Sequence, residues 1–375
     1  MKSNKIMGII FSNMHDECMG ELTGARTAGS IPYGGRYRLI DFTLSNMVNS
    51  GIKDIGIVTR QNYQSLMDHV GSGRAWDLSR KVGGLRLLPP YARLTGASAD
   101  NHVGCLEALA GRLSYLQSVD AQYVVLSGAD VISNIDLRDV LRQHQETGAD
   151  ITAVYAECRR ETPGRDVSTV EVAADGRLTD VSVNVSTTGN HKEFLNIALL
   201  SRELLIKMVN EGYAHGKASF TRGVMQDHLQ DLKIYGYEST GFVARISGME
   251  SYFAANMALL NSEARAQLFP AERPVFTKVR DEVPAKYGLK SKVSNSLVAD
   301  GCVIEGELEN CIVFRGVRVG RGAVVKNSIL MQDAIVGENA DLNYVIADKD
   351  VVVRSGRTLC GYTSIPFYLQ KGMSV

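Results

Sequence analysis

The chain has 375 residues, of which 45% are apolar and 22% charged, which is the composition of a globular protein long enough for two or three domains. Its 41 Lys and Arg balance 41 Asp and Glu, so it lacks the basic surplus that neutralises nucleic-acid phosphates, and we expect no nucleic-acid partner. The six cysteines are scattered without a Cys-x-x-Cys pair, which disfavours zinc knuckles and disulfide frameworks. No apolar run approaches the roughly 18 residues of a membrane span, so we expect a cytoplasmic protein without a membrane partner.

Short apolar runs alternate with amphipathic stretches along the first part of the chain. The runs predict strands over 6–11, 54–59, 123–126, 151–155 and 195–200, and the amphipathic stretches predict helices over 39–49, 106–116, 137–144 and 201–208. Such alternation is typical of an α/β domain with a mostly parallel, Rossmann-like sheet and helices on both faces. Ligands of these sheets bind outside the carboxyl ends of the strands, so chemistry is expected after residues 11, 59 and 126.

The sequence changes character after a helix-like stretch at 250–268, where two prolines, Pro270 and Pro274, break regular structure. From about residue 293 an apolar residue recurs every six positions and resumes after a one-residue slip: Val313, Val319, Val325, Met331, then Val336 and Leu342. This period predicts a left-handed parallel β-helix, in which each flat face of a coil buries one side chain. We therefore expect an α/β domain over 1–262, a linker over 263–290 and a β-helix over 291–375.

Several motifs resemble the bacterial ADP-glucose pyrophosphorylases (glucose-1-phosphate adenylyltransferases). The longest reads PYGGRYRLIDFTLSN over 32–46, and it is accompanied by NSGI at 49–52, HVGSG at 69–73, WDL at 76–78, ESY at 250–252 and GVRVG at 316–320. The resemblance spans nearly the whole chain. It implies a nucleotidyltransferase-type sheet and a site at which glucose 1-phosphate attacks the α-phosphorus of ATP, assisted by basic residues and Mg²⁺.

The chain departs from the family pattern at the phosphate loop. The family has Gly-Gly-x-Gly-(Ser/Thr)-Arg-Leu, whose backbone N–H groups wrap a triphosphate, whereas this chain reads NMHDECM over 13–19. The arginine is replaced by Cys18, and Asp16 and Glu17 would face the triphosphate with negative charge. A family Lys-Pro is replaced by Ala28-Gly29, and the family's sugar-phosphate lysine falls at Asn184. The resemblance therefore implies weak nucleotide and sugar-phosphate binding.

The metal-binding positions of the family are altered as well. One family aspartate matches Asp130, with Asp136 echoing a further one, but the second metal-binding aspartate aligns with Arg245. Arginine cannot coordinate Mg²⁺, and we expect Arg245 to pair with Asp130 and to fill the metal position as a fixed cation. We therefore expect no metal and no cofactor in this chain, with Mg²⁺ held by a catalytic partner.

Other positions keep the family pattern or carry reactive side chains. Gly34, Gly35 and Asp41 are the remaining candidates for substrate contact, with a role in turn formation as the alternative. His15, Cys18 and Cys105 carry groups that can act in catalysis, but none has an assigned partner, and we expect them to be inert. No residue is confidently catalytic.

These losses fall in one site while the structural motifs are kept, which indicates a catalytically weak or inactive chain. Some bacteria pair a catalytic pyrophosphorylase with a homologous chain whose site has decayed, and this sequence resembles the second kind. We expect a regulatory subunit of a heterotetramer in glycogen synthesis, activating its catalytic homologue, with a small-molecule effector that the residues do not name. Two alternatives stay open: an active nucleotidyltransferase with an altered phosphate loop, and a sugar-phosphate or nucleotide sensor. An acyltransferase is disfavoured because the β-helix region contains no histidine.

Overall fold

The computed structural model of the protein describes residues 5–13, 16–89, 104–160 and 167–375. The chain divides into two compact units, each assembled from three stretches of sequence. The first unit comprises residues 1–14, 42–245 and 273–276, and the second comprises residues 15–41, 246–272 and 277–375.

The first unit is built on a mixed sheet, for which the described residues supply nine strands. They are Ile6–Phe11, Asp54–Val58, Gly84–Leu88, Tyr123–Gly128, Ile151–Arg160, Val167–Val172, Leu178–Val185, Gly189–Ser201 and Ile234–Glu238. Ile6–Phe11 lies between Asp54–Val58 and Tyr123–Gly128 and runs parallel to both, as the alternating pattern predicted. Gly189–Ser201 runs antiparallel to Tyr123–Gly128 and Ile151–Arg160, so the parallel arrangement covers only part of the sheet.

Helices of 6 to 13 residues accompany the strands. They are Leu39–Asn49, Gln64–Val70, Cys105–Ala110, Leu113–Ser118, Leu137–Thr147 and Arg202–Ala214. The helix predicted over 106–116 is interrupted at Gly111 and Arg112. Leu106, Leu109, Val124 and Leu205 are almost fully buried in the core between the sheet and these helices, which fixes the positions of the strand ends.

A short two-stranded ribbon lies beside the main sheet of the first unit. Its strands, Val131–Ser133 and Val243–Arg245, pair antiparallel, with Arg245 opposite Val131. The ribbon follows the strand Tyr123–Gly128 after only two residues, so it brings Arg245 next to Asp130. It therefore joins positions that are 115 residues apart in sequence.

The second unit contains the predicted β-helix. Fifteen short strands among the described residues form three parallel sheets, and each strand pairs with the equivalent strand of the neighbouring coil. The strands are Lys286–Tyr287, Lys292–Ser294, Leu297–Val298, Val303–Ile304, Glu307–Glu309, Ile312–Val313, Arg318–Val319, Val324–Lys326, Ile329–Leu330, Ile335–Val336, Asp341–Asn343, Val345–Ala347, Val352–Val353, Thr358–Cys360 and Phe367–Leu369. The architecture is thus the α/β sheet followed by a left-handed β-helix that the sequence predicted.

The repeat of the β-helix is not six residues on every face. Val319 pairs with Val336 and Val325 pairs with Leu342, each 17 residues later. Two faces follow the six-residue spacing and the third is one residue shorter, so the inward side chain after Val325 is Leu330. The placement of Met331 in the column was wrong, although Met331 is buried. The sequence is apolar at both positions, so the period alone did not locate the slip.

An asparagine ladder runs along one corner of the β-helix. The side-chain amide of Asn295 donates to Asn310 (2.7 Å), that of Asn310 to Asn327 (3.1 Å), and that of Asn327 to Asn343 (2.9 Å). Asn295, Asn310 and Asn327 have left-handed backbone, with φ of 41°, 54° and 45°, which asparagine adopts with less strain than most residues. The ladder therefore supports the sharp corners at which successive faces meet.

Further helices of the second unit are Met249–Ala258 and Ser262–Leu268, so the predicted helix over 250–268 is broken near Leu259. Residues 263–290, expected as a linker, include most of the second helix and the first strand of the β-helix. None of the helices in the described part of the chain is long and apolar enough to cross a lipid bilayer.

Candidate functional site

A buried ionic network of three side chains lies at the carboxyl end of the strand Tyr123–Gly128 in the first unit. The Nε of Arg245 lies 3.5 Å from Oδ2 of Asp130, and its Nη1 donates to Oε1 of Glu193 at 3.0 Å. The Arg245 side chain is 3% exposed and each carboxylate 1% exposed. The ribbon positions Arg245, the loop after the strand positions Asp130, and the long antiparallel strand Gly189–Ser201 contributes Glu193.

The charge of Arg245 is maintained by its neighbours. Burial alone would lower the pKa of Arg245, but the Asp130 and Glu193 carboxylates outweigh that effect and raise it above its ordinary value. The guanidinium is therefore a permanent cation held between two anions. Removing one member of such a buried network is far more costly than breaking a surface pair, because it leaves desolvated charge behind.

The magnesium that the family resemblance implies does not fit this arrangement. Mg²⁺ needs oxygen ligands in near-octahedral geometry, and the space between the two carboxylates is occupied by guanidinium nitrogen atoms that would repel a cation. Across the part of the chain that the structure describes, no three His, Cys, Asp or Glu side chains come together as a metal-binding group. Arg245 thus supplies one fixed positive charge and no coordination site.

Glu193 was not among the residues singled out from the sequence. It opens the apolar run EFLNIALL over 193–200, and a carboxylate within a buried strand is the signal that could have found it, because buried acids are rare unless paired. His191 lies on the same strand, with Nε2 3.6 Å from Oε2 of Glu193. The polar network thus extends along the strand beyond Arg245.

Cys105 lies in this unit and is a poor nucleophile. Burial, with a contribution from the Asp130 carboxylate, raises the pKa of the Cys105 thiol to about 12. Because the thiolate is the reactive form, the thiol is inert at neutral pH.

The segment that replaces the phosphate loop is folded on itself in the second unit. It forms a 3₁₀ stretch, Asp16–Thr23, whose Met19 is buried, and Cys18 is half-buried within it. Oδ1 of Asp16 accepts the backbone N–H of Ala28 at 2.9 Å, and Thr23 Oγ1 donates to the Asp16 carbonyl at 2.7 Å. The acid in the altered loop therefore binds the residue that stands where the family has lysine. Met14 and His15 lie outside the described residues.

Two further sequence candidates have local structural surroundings. Asn184 is exposed on the strand Leu178–Val185, where a register shift and a left-handed φ of 59° mark a bulge. Asp136 caps the helix Leu137–Thr147 by accepting the backbone N–H of Arg138 at 3.0 Å. Hydrogen bonding to Arg138 lowers the pKa of Asp136. The structure does not bring Asn184 or Asp136 into the Arg245 network.

The motif at 32–46 forms a tight turn followed by a helix. Gly34 and Gly35 connect the strands Pro32–Tyr33 and Tyr37–Arg38 with left-handed φ of 60° and 84°, and a Cβ at Gly34 would lie 2.8 Å from Leu259. Oδ2 of the fully buried Asp41 accepts the backbone N–H of Arg38 at 2.9 Å, in the first turn of the helix Leu39–Asn49. These contacts account for the three residues by backbone geometry and capping.

A second buried ionic cluster, which sequence reasoning missed, lies within the second unit. Nη2 of Arg26 donates to both carboxylate oxygens of Asp348, at 2.7 and 2.6 Å, and Tyr368 Oη donates to Asp348 at 2.5 Å. The next residue, Lys349, is partly buried, and desolvation together with the charges of Arg38 and Arg26 lowers its pKa to about 7. The pair joins positions 322 residues apart, so no local pattern reveals it.

Comparison with known proteins agrees with the architecture. Residues 19–165 match the nucleotidyl transferase family, and residues 282–363 match the family described as GlmU-like, C-terminal hexapeptide. The two matches define the class: a nucleotidyl transferase domain followed by a hexapeptide β-helix.

Curated relatives extend over nearly the whole chain. The glycogen biosynthesis protein GlgD of Bacillus subtilis (strain 168) is 36% identical over 376 residues, covering 100% of this chain and 98% of the relative. GlgD of Geobacillus stearothermophilus is 37% identical over 323 residues, or 86% and 83% of the two chains. A glucose-1-phosphate adenylyltransferase of Bacillus anthracis is 29% identical over 363 residues, or 95% and 94%. The chain therefore belongs to the ADP-glucose pyrophosphorylase family, within its GlgD group.

Proposed function

We propose that this chain is a regulatory, catalytically weak or inactive subunit of a glucose-1-phosphate adenylyltransferase in glycogen biosynthesis. The observation that carries the proposal is the Arg245 guanidinium held between Asp130 and Glu193, at the position where the family resemblance expects a metal-binding aspartate. The names of the GlgD relatives support the pathway.

The chemistry of phosphoryl-type transfer explains why this position matters. The protein accelerates such reactions by positioning the reactants and by neutralising their charge with cations. Arg245 is already neutralised by two carboxylates, so little positive charge remains for a triphosphate. In the second unit, the Asp16 carboxylate adds negative charge to the segment that replaces the phosphate loop. Both changes weaken binding of an anionic nucleotide.

A chain without chemistry of its own acts through its partner. We expect it to form a heterotetramer with a homologous catalytic subunit, in which binding energy favours the active conformation of that subunit. Couplings of this kind are typically about 1 to 3 kcal/mol, which corresponds to about 5- to 150-fold in affinity. Mg²⁺ then belongs to the catalytic subunit, and a small-molecule effector acts on the assembly.

The test is an assay of magnesium-dependent pyrophosphate release and ADP-glucose formation by the full chain alone, the catalytic homologue alone and the two mixed. We expect negligible turnover by the chain alone, and a change in rate, substrate affinity or effector response on mixing. Arg142→Asp, which alters an exposed arginine far from the network in sequence, is the matched control for preparations of Arg245 variants.

Three results would contradict the proposal. Turnover by the chain alone at a rate comparable to the homologue would identify an active enzyme with an altered loop. Calorimetric binding of ATP or glucose 1-phosphate by the chain alone, with no effect on the homologue, would identify a sensor. Kinetics of the homologue that are unchanged on mixing would remove the regulatory role.

A further inference from the structure

The first coil of the β-helix presents core-type side chains to solvent. Its three inward positions are Tyr287, Val293 and Val298. They are in register with second-coil residues that are at most 2% exposed, namely Ile304, Leu308 and Val313. Tyr287 is nevertheless 51% exposed and Val293 37% exposed, because no coil precedes them in the described chain. The apolar columns of the β-helix therefore end in an open apolar layer.

The backbone of this coil is paired on one side. The N–H groups of Lys286 and Gly288 donate to carbonyls of the second coil at 2.8 and 2.7 Å, so the peptide groups of the intervening Tyr287 are directed away from that coil. Within the described residues, the three strands of the first coil pair with the second coil only. An edge of this kind is a template for another strand.

The opposite end of the β-helix is covered. Val352 and Arg354 donate their N–H groups to carbonyls of Met373 and Val375, and Val353 between them is 1% exposed. Solenoid proteins need terminal layers with a polar outer face to remain soluble. The first coil lacks such a layer, and the fully exposed Leu289 adds to its apolar surface.

The charges of the first coil select among the chains that could cover it. Residues 286–298 include three exposed lysines, Lys286, Lys290 and Lys292, and no carboxylate. Lys292 is paired with Glu307 of the second coil at 2.7 Å. Two identical rims would bring lysines against lysines, and like charges across an interface are a common means of rejecting a partner. A rim with carboxylates is complementary.

We propose that this rim, residues 286–298, is the docking surface for the end of a second β-helix, that of the homologous catalytic subunit. The facing coil supplies apolar side chains to the three columns and carboxylates to the lysines. The identity of the partner rests on the proposed function, whereas the open apolar layer does not.

The test uses the full-length chain and its catalytic homologue in sedimentation velocity and in titrations of complex formation. Leu289→Glu, at a fully exposed position where folding is unaffected, should weaken the complex at least tenfold, and Lys290→Glu should weaken it several-fold. Tyr287→Glu should abolish it. Val82→Glu, an equally apolar and exposed position in the first unit, is the matched control and should bind as the wild type does. Thermal unfolding of each variant checks its fold.

The outcomes separate this inference from the proposed function. A wild-type complex that tolerates Leu289→Glu and Lys290→Glu overturns the docking surface. A self-dimer of the wild-type chain that Leu289→Glu dissolves overturns the choice of partner, because the occupant is then a second copy. A complex that depends on Leu289 but leaves the kinetics of the homologue unchanged supports the docking surface and contradicts the regulatory function. Failure of the wild-type chains to associate contradicts both.

Discussion

Replacing Arg245 by alanine tests the central feature of the first unit. The variant keeps Asp130 and Glu193 buried but removes the guanidinium between them. Breaking a buried ion pair by deleting one partner costs about 3 to 5 kcal/mol, since uncompensated charge stays in a low-dielectric environment. One kcal/mol shifts the melting temperature of a unit of 150 to 250 residues by about 2 to 4 °C. We therefore expect the melting temperature of the first unit to fall by roughly 6 to 20 °C at pH 7.

The pH dependence gives this prediction its specificity. Without Arg245, burial and mutual repulsion should raise the pKa of the two carboxylates above that of the unfolded chain. Such a group destabilises the fold more as pH rises through the raised pKa, so the deficit should be large at pH 7 and smaller near pH 4.5. Calorimetry at the two pH values measures it. Arg245→Lys keeps the charge but loses the two-nitrogen fork, and should lose less stability.

Magnesium provides an independent readout of the same variant. Two carboxylates without an intervening cation are oxygen ligands, so millimolar Mg²⁺ should raise the melting temperature of Arg245→Ala and leave the wild type unchanged. An Arg245→Ala variant as stable as the wild type, or a deficit independent of pH, would refute the role we assign to this side chain.

Three further predictions concern the second unit. Asp348→Asn leaves the Arg26 guanidinium buried without its carboxylate, and should lower the free energy of unfolding by about 3 to 5 kcal/mol in urea titrations. Lys349 has its pKa lowered from 10.5 to about 7, so from pH 7 to about 10 the folded chain binds fewer protons than the unfolded chain and stability rises with pH. Lys349→Met should flatten that rise, which urea midpoints at pH 6 and 9 measure. Asn310→Ala removes two ladder hydrogen bonds and a residue suited to left-handed backbone, and should cost about 1 to 3 kcal/mol.

Each has a matched control. Asp350→Asn changes an exposed acid two residues from Asp348 and should leave the urea midpoint in place. Lys371→Met tests whether removing any nearby lysine flattens the pH profile; if it does so as fully as Lys349→Met, the assignment to Lys349 is wrong. Asn295→Ala removes one ladder bond and should cost less than Asn310→Ala. Equal losses would show that the ladder bonds contribute nothing.

The elements of the fold could be predicted where local pattern determines them. The strand Ile6–Phe11 and the helix Leu39–Asn49 are encoded by periodicity within a few residues, and both have the bounds expected. The antiparallel direction of Gly189–Ser201 was not predicted, because a buried apolar run looks the same in either direction. The site followed a similar division. The family pattern identified Arg245, but Glu193 and the Arg26–Asp348 pair become neighbours only through tertiary folding.

The 17-residue coil limits how the length of the β-helix can change. Because Val319, Val336 and Val353 succeed one another at that interval, a duplication or deletion of 17 residues would lengthen or shorten the column by one complete layer and keep its register. Loss of a single residue would instead rotate every following side chain out of its column. Tolerated changes of length in related sequences should therefore occur as whole coils or fall in the loops at the corners.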